Sequence, residues 1–246
     1  MSGAPMSSYK LPGTITVPIG RNGPTASANG GIAAGLLGSL LPGAARVRLY
    51  RPPPLGEPME VREVPGGLEA WHAGAIALAA TKASLDLQVP PITIEEAAAA
   101  TAAFVNHAAT TCFVCGPDNR AGLHLFPGPV GGGPLHATIW TPQSSVGDVD
   151  GAVAPDVVWG ALDCPGAIML LRHYSPERLF PALGTMTAEI LEPVQVGNTY
   201  AVTAWPRGRE GRKLFAATAI TDGEGRVCAM SDQVCIAMPF EWGGAA

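Results

Sequence analysis

Gly67-Leu-Glu-Ala-Trp71-His-Ala73-Gly-Ala75-Ile76 and Gly211-Arg-Lys-Leu-Phe215-Ala-Ala217-Thr-Ala219-Ile220 follow one pattern. Each reads glycine, three residues, an aromatic ring, two alanines at alternate positions and an isoleucine. A glycine turn followed by alternating small and apolar residues predicts a strand entered from a tight turn. The two copies lie 144 residues apart.

The flanks repeat as well. Upstream of the first copy, Val47 to Val61 carries Pro52 and, four residues later, Gly56; Ala188 to Val202 carries Pro193 and Gly197 in the same places, at an offset of 141. Both predict strand, turn, strand. Further upstream each copy has an apolar stretch of small residues, Asn29 to Leu41 and Ala154 to Leu171, expected as buried helices. Downstream each is expected to end in a strand closed by a proline, at Thr81 to Pro90 and at Met230 to Pro239. The drifting offsets place small insertions between the copies, the largest at Arg172 to Leu183. Between the copies, Thr93-Ile-Glu-Glu96 is a capping box that opens an alanine-rich helix expected over 94–109, lying across the surface as a connector. The expected organisation is an N-terminal repeat over 1–90, a linker with a helix over 91–117 and a C-terminal repeat over 118–246.

Composition narrows the function classes. The 246 residues are 47% hydrophobic and 14% charged, with a formal charge of −5. No basic block or interleaving of aromatic and basic residues is present, so no nucleic-acid partner is expected. The most apolar stretch, Gly31 to Ala45, is interrupted by Gly35, Gly38, Pro42 and Gly43, too short and broken to span a bilayer. The first twenty residues lack a charged region followed by an apolar one. With five cysteines, an odd number, the expectation is a reduced cytoplasmic protein. An anionic ligand would need local positive charge or helix N-termini, because the net field does not attract it.

A lone helix of small residues followed by a curved antiparallel sheet resembles the hotdog pattern, and both halves carry it, over roughly Tyr9 to Pro239. Cys112-Phe-Val-Cys115-Gly116-Pro117-Asp118-Asn119-Arg-Ala-Gly122-Leu123 is similar to the segment before the first strand of many hotdog thioesterases of the phenylacetyl-CoA type. The resemblance implies an α+β tandem (double) hotdog, each half a curved antiparallel sheet wrapped around one central helix. It implies an acyl-CoA or acyl-carrier thioester as substrate, with hydrolysis at one site between the halves, and further pairing into a homodimer of double-hotdog chains.

That family carries His-Gly-Gly at the start of the central helix and an Asp or Glu nine residues after the His, each site combining the amides of one helix with the carboxylate of the other. Here the signature is split. Asn29-Gly30-Gly31 stands at the first position of the N-terminal half, but Gly38 stands where its acid belongs. Asp163 stands at the acid position of the C-terminal half, but Ala154-Pro155-Asp156 replaces the glycines. The losses are complementary, so one whole site is expected: Asn29, Gly30 and Gly31 binding substrate opposite a catalytic Asp163. A carboxylate on an apolar helix gains basicity by desolvation, and amides at a helix N-terminus suit a developing oxyanion. Pro165 is expected to kink or break the second helix near Asp163. Asp156 is expected as an N-cap, and Trp159 beside the acyl channel.

Other readings stand beside this one. Thr185 and Gln233 are alternative water-holding groups. Cys112 and Cys115 form the chain's only Cys-x-x-Cys pair, and a structural zinc site takes four ligands; only His107 and His124 could complete one, so neither metal nor cofactor is expected. A non-catalytic acyl-CoA-binding protein with decayed sites is the main alternative function. A hotdog hydratase or dehydratase is a further one; the hydratases of this fold use Asp-x-x-x-x-His, and Ile168 and Ala161 stand five residues after Asp163 and Asp156.

Overall fold

A computed structural model describes residues 11–23, 27–105, 109–174 and 179–239. The chain is α+β. Its elements run β1 (Thr14–Thr16), α1 (Gly30–Gly38), β2 (Ala45–Leu49), β3 (Pro58–Val64), β4 (Gly67–His72), β5 (Ala75–Lys82), α2 (Ile94–Ala102), β6 (Gly128–Pro129), β7 (His136–Trp140), α3 (Pro155–His173), β8 (Leu179–Ile190), β9 (Tyr200–Glu210), β10 (Lys213–Thr221) and β11 (Val227–Pro239). All strands join one antiparallel sheet in the order β1-β3-β4-β5-β2-β8-β11-β10-β9-β7-β6.

Apart from β6 at one edge, the order is palindromic about the β2–β8 pair. β1, α1, β2, β3, β4 and β5 match β7, α3, β8, β9, β10 and β11, both in sequence order and in place within the sheet. The register at the junction obeys the same symmetry. Arg46 faces Thr187, its counterpart at the 141-residue offset, and Ala45–Ala188 and Val47–Met186 exchange under it.

Both central helices are apolar on every side, the pattern of a helix with no solvent face. Ile32, Ala33, Ala34 and Leu37 are fully buried on α1, as are Val157, Ala161, Leu162, Met169 and Leu170 on α3. Asn29 caps α1 by accepting from the Ile32 amide at 3.0 Å. Pro155 opens α3 at a position whose amide would have no helical partner.

The two helices meet through glycine. A methyl group at Gly31 would lie 2.5 Å from Asp163 Cβ, at Gly35 2.7 Å from Asp156 Cα, and at Gly38 2.7 Å from the Trp159 ring. On the other side, a methyl at Gly160 would lie 2.6 Å from Ile32 Cδ1. The backbones therefore approach to a distance that only hydrogen at Cα permits.

Several expectations need correction. The ten-residue match that reveals the repeat is structurally equivalent only in its first part. In the first copy the chain turns at Ala73 and Gly74, both at positive φ, and Ala75 starts β5; in the second copy β10 runs unbroken to Thr221. Alternation of small and apolar residues looks the same in one long strand as in two short ones. Only Thr81 and Lys82 of the expected strand 81–90 belong to β5, whereas β11 does run to Pro239. The capping box at Thr93 and Glu96 forms, but α2 ends at Ala102. This helix lays Ala97 and Ala100 against Ala137 and Ala201, covering β7 and β9. Pro165 does not break α3, which continues to His173. Leu162, whose carbonyl lies beside the proline turn, accepts from Thr218 Oγ1 at 2.9 Å and from Gln233 Nε2 at 2.6 Å. Pro165 removes the helical donor to Ala161 O, and the sheet anchors the helix at the next carbonyl, that of Leu162. Among the described residues, no helix is long and apolar enough to cross a membrane.

Gly35→Ala should destabilise the protein by roughly 1–3 kcal/mol, since overpacking against helix backbone outweighs the gain in helix propensity. Gly223→Ala, in open space on a turn, should change stability by less than about 0.5 kcal/mol. Urea unfolding of the two variants distinguishes a glycine-dependent helix contact from a general intolerance of alanine.

Candidate functional site

The N-terminus of α1 points at the middle of α3, and the first consequence is a hydrogen bond across the repeat. The Gly31 amide donates to Asp163 Oδ2 at 2.9 Å. Asp163 is 6% exposed. Loss of water pushes its carboxyl up to about 7, the Gly31 hydrogen bond opposes that rise, and charge on Cys112 adds to it. A carboxyl that titrates near neutrality can take and return a proton at physiological pH.

Asp163, Asn29 and Gly30 line one cavity of about 600 Å3. Its walls come from both halves: the start of α1, the stretch Leu49–Pro53 after β2, the second half of α3, and the outer ends of β8 and β11. Leu183 and Leu49 lie over Gly30, within 3.4 Å of where a side chain would begin. Ile168, Leu171, Ile236 and Met238 make the walls apolar, and the exposed Arg51 stands among the lining residues. Beside it, the exposed Arg48 guanidinium lies 4.8 Å from the centre of the Tyr50 ring.

The four residues singled out from sequence are thus adjacent, but their arrangement differs from the expectation at Gly31 and at Asn29. The Gly31 amide, expected to face substrate, is held by Asp163 itself. Gly30, one residue earlier in the same first turn, is the glycine that lines the cavity, and amides in that turn have no partner within the helix. Asn29 is committed to structure on both ends: its oxygen caps α1, and its Nδ2 points to Cys164 Sγ at 3.4 Å and Cys112 Sγ at 3.9 Å.

The symmetry-related location is filled. A displacement of 125 residues exchanges Gly31 with Asp156, Gly35 with Gly160 and Gly38 with Asp163. Where the symmetric carboxylate would lie, the Trp159 ring covers Gly38. Asp156 is not the N-cap, which is Ala154; it forms an ion pair with Arg21. Desolvation nonetheless raises the Asp156 carboxyl, with Arg21 opposing. Trp159 therefore belongs to this closed location and not to the cavity around Asp163.

Gln233 and Thr185 do not form a water site. Gln233 pairs with Met186 and Thr185 with Val234, so the two side chains leave opposite faces of the sheet. Gln233 is fully buried behind α3, donating to Leu162 O and to Ser231 Oγ at 3.0 Å.

Sequence reasoning missed Cys164. It follows Asp163 and sits with Cys112 and Cys115, the three sulfurs within 4.8 Å of one another and all buried. Cys112 and Cys164 are 3.8 Å apart, and all three line the cavity. Hydrogen bonds from the Cys115 and Cys164 thiols, then from the Cys115 and Val114 amides, lower the Cys112 thiol well below its usual range against the cost of burial. His124, one of the two histidines considered beside Cys112 and Cys115, uses Nε2 on Asn119 O at 2.8 Å. His107 lies outside the described residues.

No protein-family model and no curated protein matches the chain. Solved structures do resemble part of it. A thioesterase superfamily protein aligns with 50% of this chain and 58% of its own length, at 16% identity and a TM-score of 0.45. A phenylacetic acid degradation-related protein from Ralstonia eutropha aligns with 46% of this chain and 85% of its own, at 16% identity and 0.42. The smu.793 protein of Streptococcus mutans, solved bound to acetyl CoA, aligns with 43% of this chain and 82% of its own, at 7% identity and 0.39. Each similarity spans half of this chain or less.

Proposed function

We propose that the chain is a tandem double hotdog, with repeats over 1–90 and 118–246 joined by 91–117, and that it hydrolyses an acyl-CoA thioester at a single site between them. The observation that carries this reading is the placement of one buried carboxylate, Asp163 of the second repeat, against the first turn of the helix of the other repeat, at the wall of an apolar cavity. The palindromic strand order supports the tandem arrangement.

In this reading the acyl chain occupies the apolar cavity and the thioester carbonyl lies at the start of α1. Asp163, as carboxylate, takes a proton from water as the water oxygen attacks the carbonyl carbon. The carbonyl oxygen gains charge facing the helix N-terminus, where the Gly30 amide and the helix dipole oppose it. Collapse breaks the carbon–sulfur bond; the thiolate leaves and takes up the proton held by Asp163, giving acid and thiol. Arg48 and Arg51, with Tyr50 between them, offer phosphate and ring contacts for the nucleotide end of coenzyme A.

The test is thiol release from a panel of short, medium, long and aryl acyl-CoA thioesters. Asp163→Asn should lower turnover by about 10²–10⁴-fold; turnover that survives it overturns the assignment. Saturable binding with no thiol release from the wild type would instead favour the non-catalytic acyl-CoA-binding reading.

The same substitution should stabilise the fold. Its carbonyl oxygen can still accept from Gly31, and the buried charge is gone. Because the folded carboxyl titrates near 7 against 3.8 for the free group, the folded state binds more protons between those values. Wild-type stability is therefore lost as pH rises from about 4 through 7. The advantage of Asp163→Asn should be near zero at pH 4 and reach at most about 4 kcal/mol at pH 8, read from denaturation midpoints. Arg51→Glu should raise KM by roughly 3–10-fold with kcat unchanged, and the effect should shrink with added salt.

A further inference from the structure

We propose that Cys112, Cys115 and Cys164 hold one zinc ion, with its fourth coordination position open to the cavity and able to take a thiol. The inference goes beyond the hydrolase reading and does not depend on it.

Distance is the first support. Zinc binds thiolate sulfur at about 2.3 Å in tetrahedral sites, which sets sulfur–sulfur edges of about 3.8 Å. Cys112 and Cys164 lie 3.8 Å apart, and the third sulfur lies within 4.8 Å of both. The separation is far beyond a disulfide bond of about 2.05 Å, and all five cysteines are free thiols.

The loop that carries two of the sulfurs is built for the purpose. Cys112-Phe-Val-Cys115-Gly116 closes on itself, with the Gly116 amide donating to Cys112 O at 2.8 Å. A side chain at Gly116 would lie 2.4 Å from Thr110 O and 2.5 Å from Cys112 N, so the turn requires glycine. The loop is pinned from outside by Phe113 N to Asn22 O at 3.0 Å and Leu125 N to Val114 O at 3.0 Å. The third sulfur comes from α3, a rigid element, so the ligands are held in place before any ion arrives.

An N–H donor reaches the sulfurs as well. Metal thiolates carry excess negative charge and are stabilised by N–H donors. Asn29 Nδ2 reaches Cys164 Sγ at 3.4 Å and Cys112 Sγ at 3.9 Å. Soft thiolate ligands favour zinc over magnesium or calcium. With three protein ligands lining the cavity wall, the fourth position faces the cavity, the arrangement of a zinc ion open to exogenous ligand.

The test uses the full chain purified with a reductant, incubated with one equivalent of zinc and desalted. Elemental analysis should find about one zinc per chain. Cys112→Ser, Cys115→Ser and Cys164→Ser should each lower the retained zinc at least tenfold, while Cys228→Ser and Cys235→Ser retain it. In case the first three variants fail to fold, cobalt(II) titration of the wild type provides an independent reading. A sulfur-to-cobalt charge-transfer band and tetrahedral d–d bands should saturate at one equivalent, and free coenzyme A should shift the d–d bands. Wild type that retains less than a tenth of an equivalent of zinc and shows no charge-transfer band overturns the site. Zinc retention untouched in a folded Cys164→Ser variant also overturns it. Cobalt bands unmoved by coenzyme A overturn the open fourth position. None of these readings requires turnover, so failure of the metal site and failure of the hydrolase reading are distinguishable.

Discussion

The contact between α1 and α3 is made of backbone. Gly31, Gly35 and Gly38 form a stripe on α1, and Asp156, Trp159, Gly160 and Asp163 answer it on α3. The glycines let the α3 backbone, the Trp159 ring and, on the other side, Ile32 pack directly on the facing helix, so the contact gains dispersion energy from close packing. It also places a helix N-terminus within hydrogen-bond reach of a carboxylate on the partner helix, which side chains on α1 would prevent. The cavity, the Gly31–Asp163 hydrogen bond and the cysteine cluster all depend on that approach.

The contact has approximate two-fold symmetry, and its two ends have separate fates. At one end Trp159 fills the space over Gly38, and Asp156 pairs with Arg21. This end is closed. At the other, Asp163 is held by a single backbone amide in a space lined by the thiols and the apolar wall. Burying a carboxylate with so little compensation costs stability. Two identical subunits would be forced to keep both ends alike; one continuous chain is free of that constraint.

The proline in α3 bears on the same region. Pro165 lies two residues after Asp163 and removes one amide from the ladder. Thr218 and Gln233 donate to Leu162 O from the sheet side of that turn, and Ser231 bonds both of them in turn. Gly166 permits the close approach of Gln233, because a side chain there would lie 2.3 Å from its Oε1. Polar residues on the inner face of β10 and β11 thus serve to hold α3, and through it Asp163, in position.

Much of the architecture was legible in the residues. The repeat, the two apolar helices and the capping box at Thr93 are local patterns, set by periodicity and by hydrogen bonds between near neighbours. The candidates Asn29, Gly30, Gly31 and Asp163 were picked out on a nine-residue spacing, which is a local quantity. What the chain's order does not contain is which residues meet across 50 to 140 positions. The turn at Ala73 and Gly74 and the single run of β10 carry the same alternation, and only pairing with neighbouring strands separates them. The sulfurs of Cys112 and Cys164 meet because a loop and a helix from distant segments close on one cavity. The Gly31 amide turned out to serve Asp163 for the same reason: hydrogen-bond partners are assigned by three-dimensional proximity. Sequence determined the elements and the candidate residues, because local energetics fix those; the tertiary packing of two glycine-faced helices decided which of them share a site.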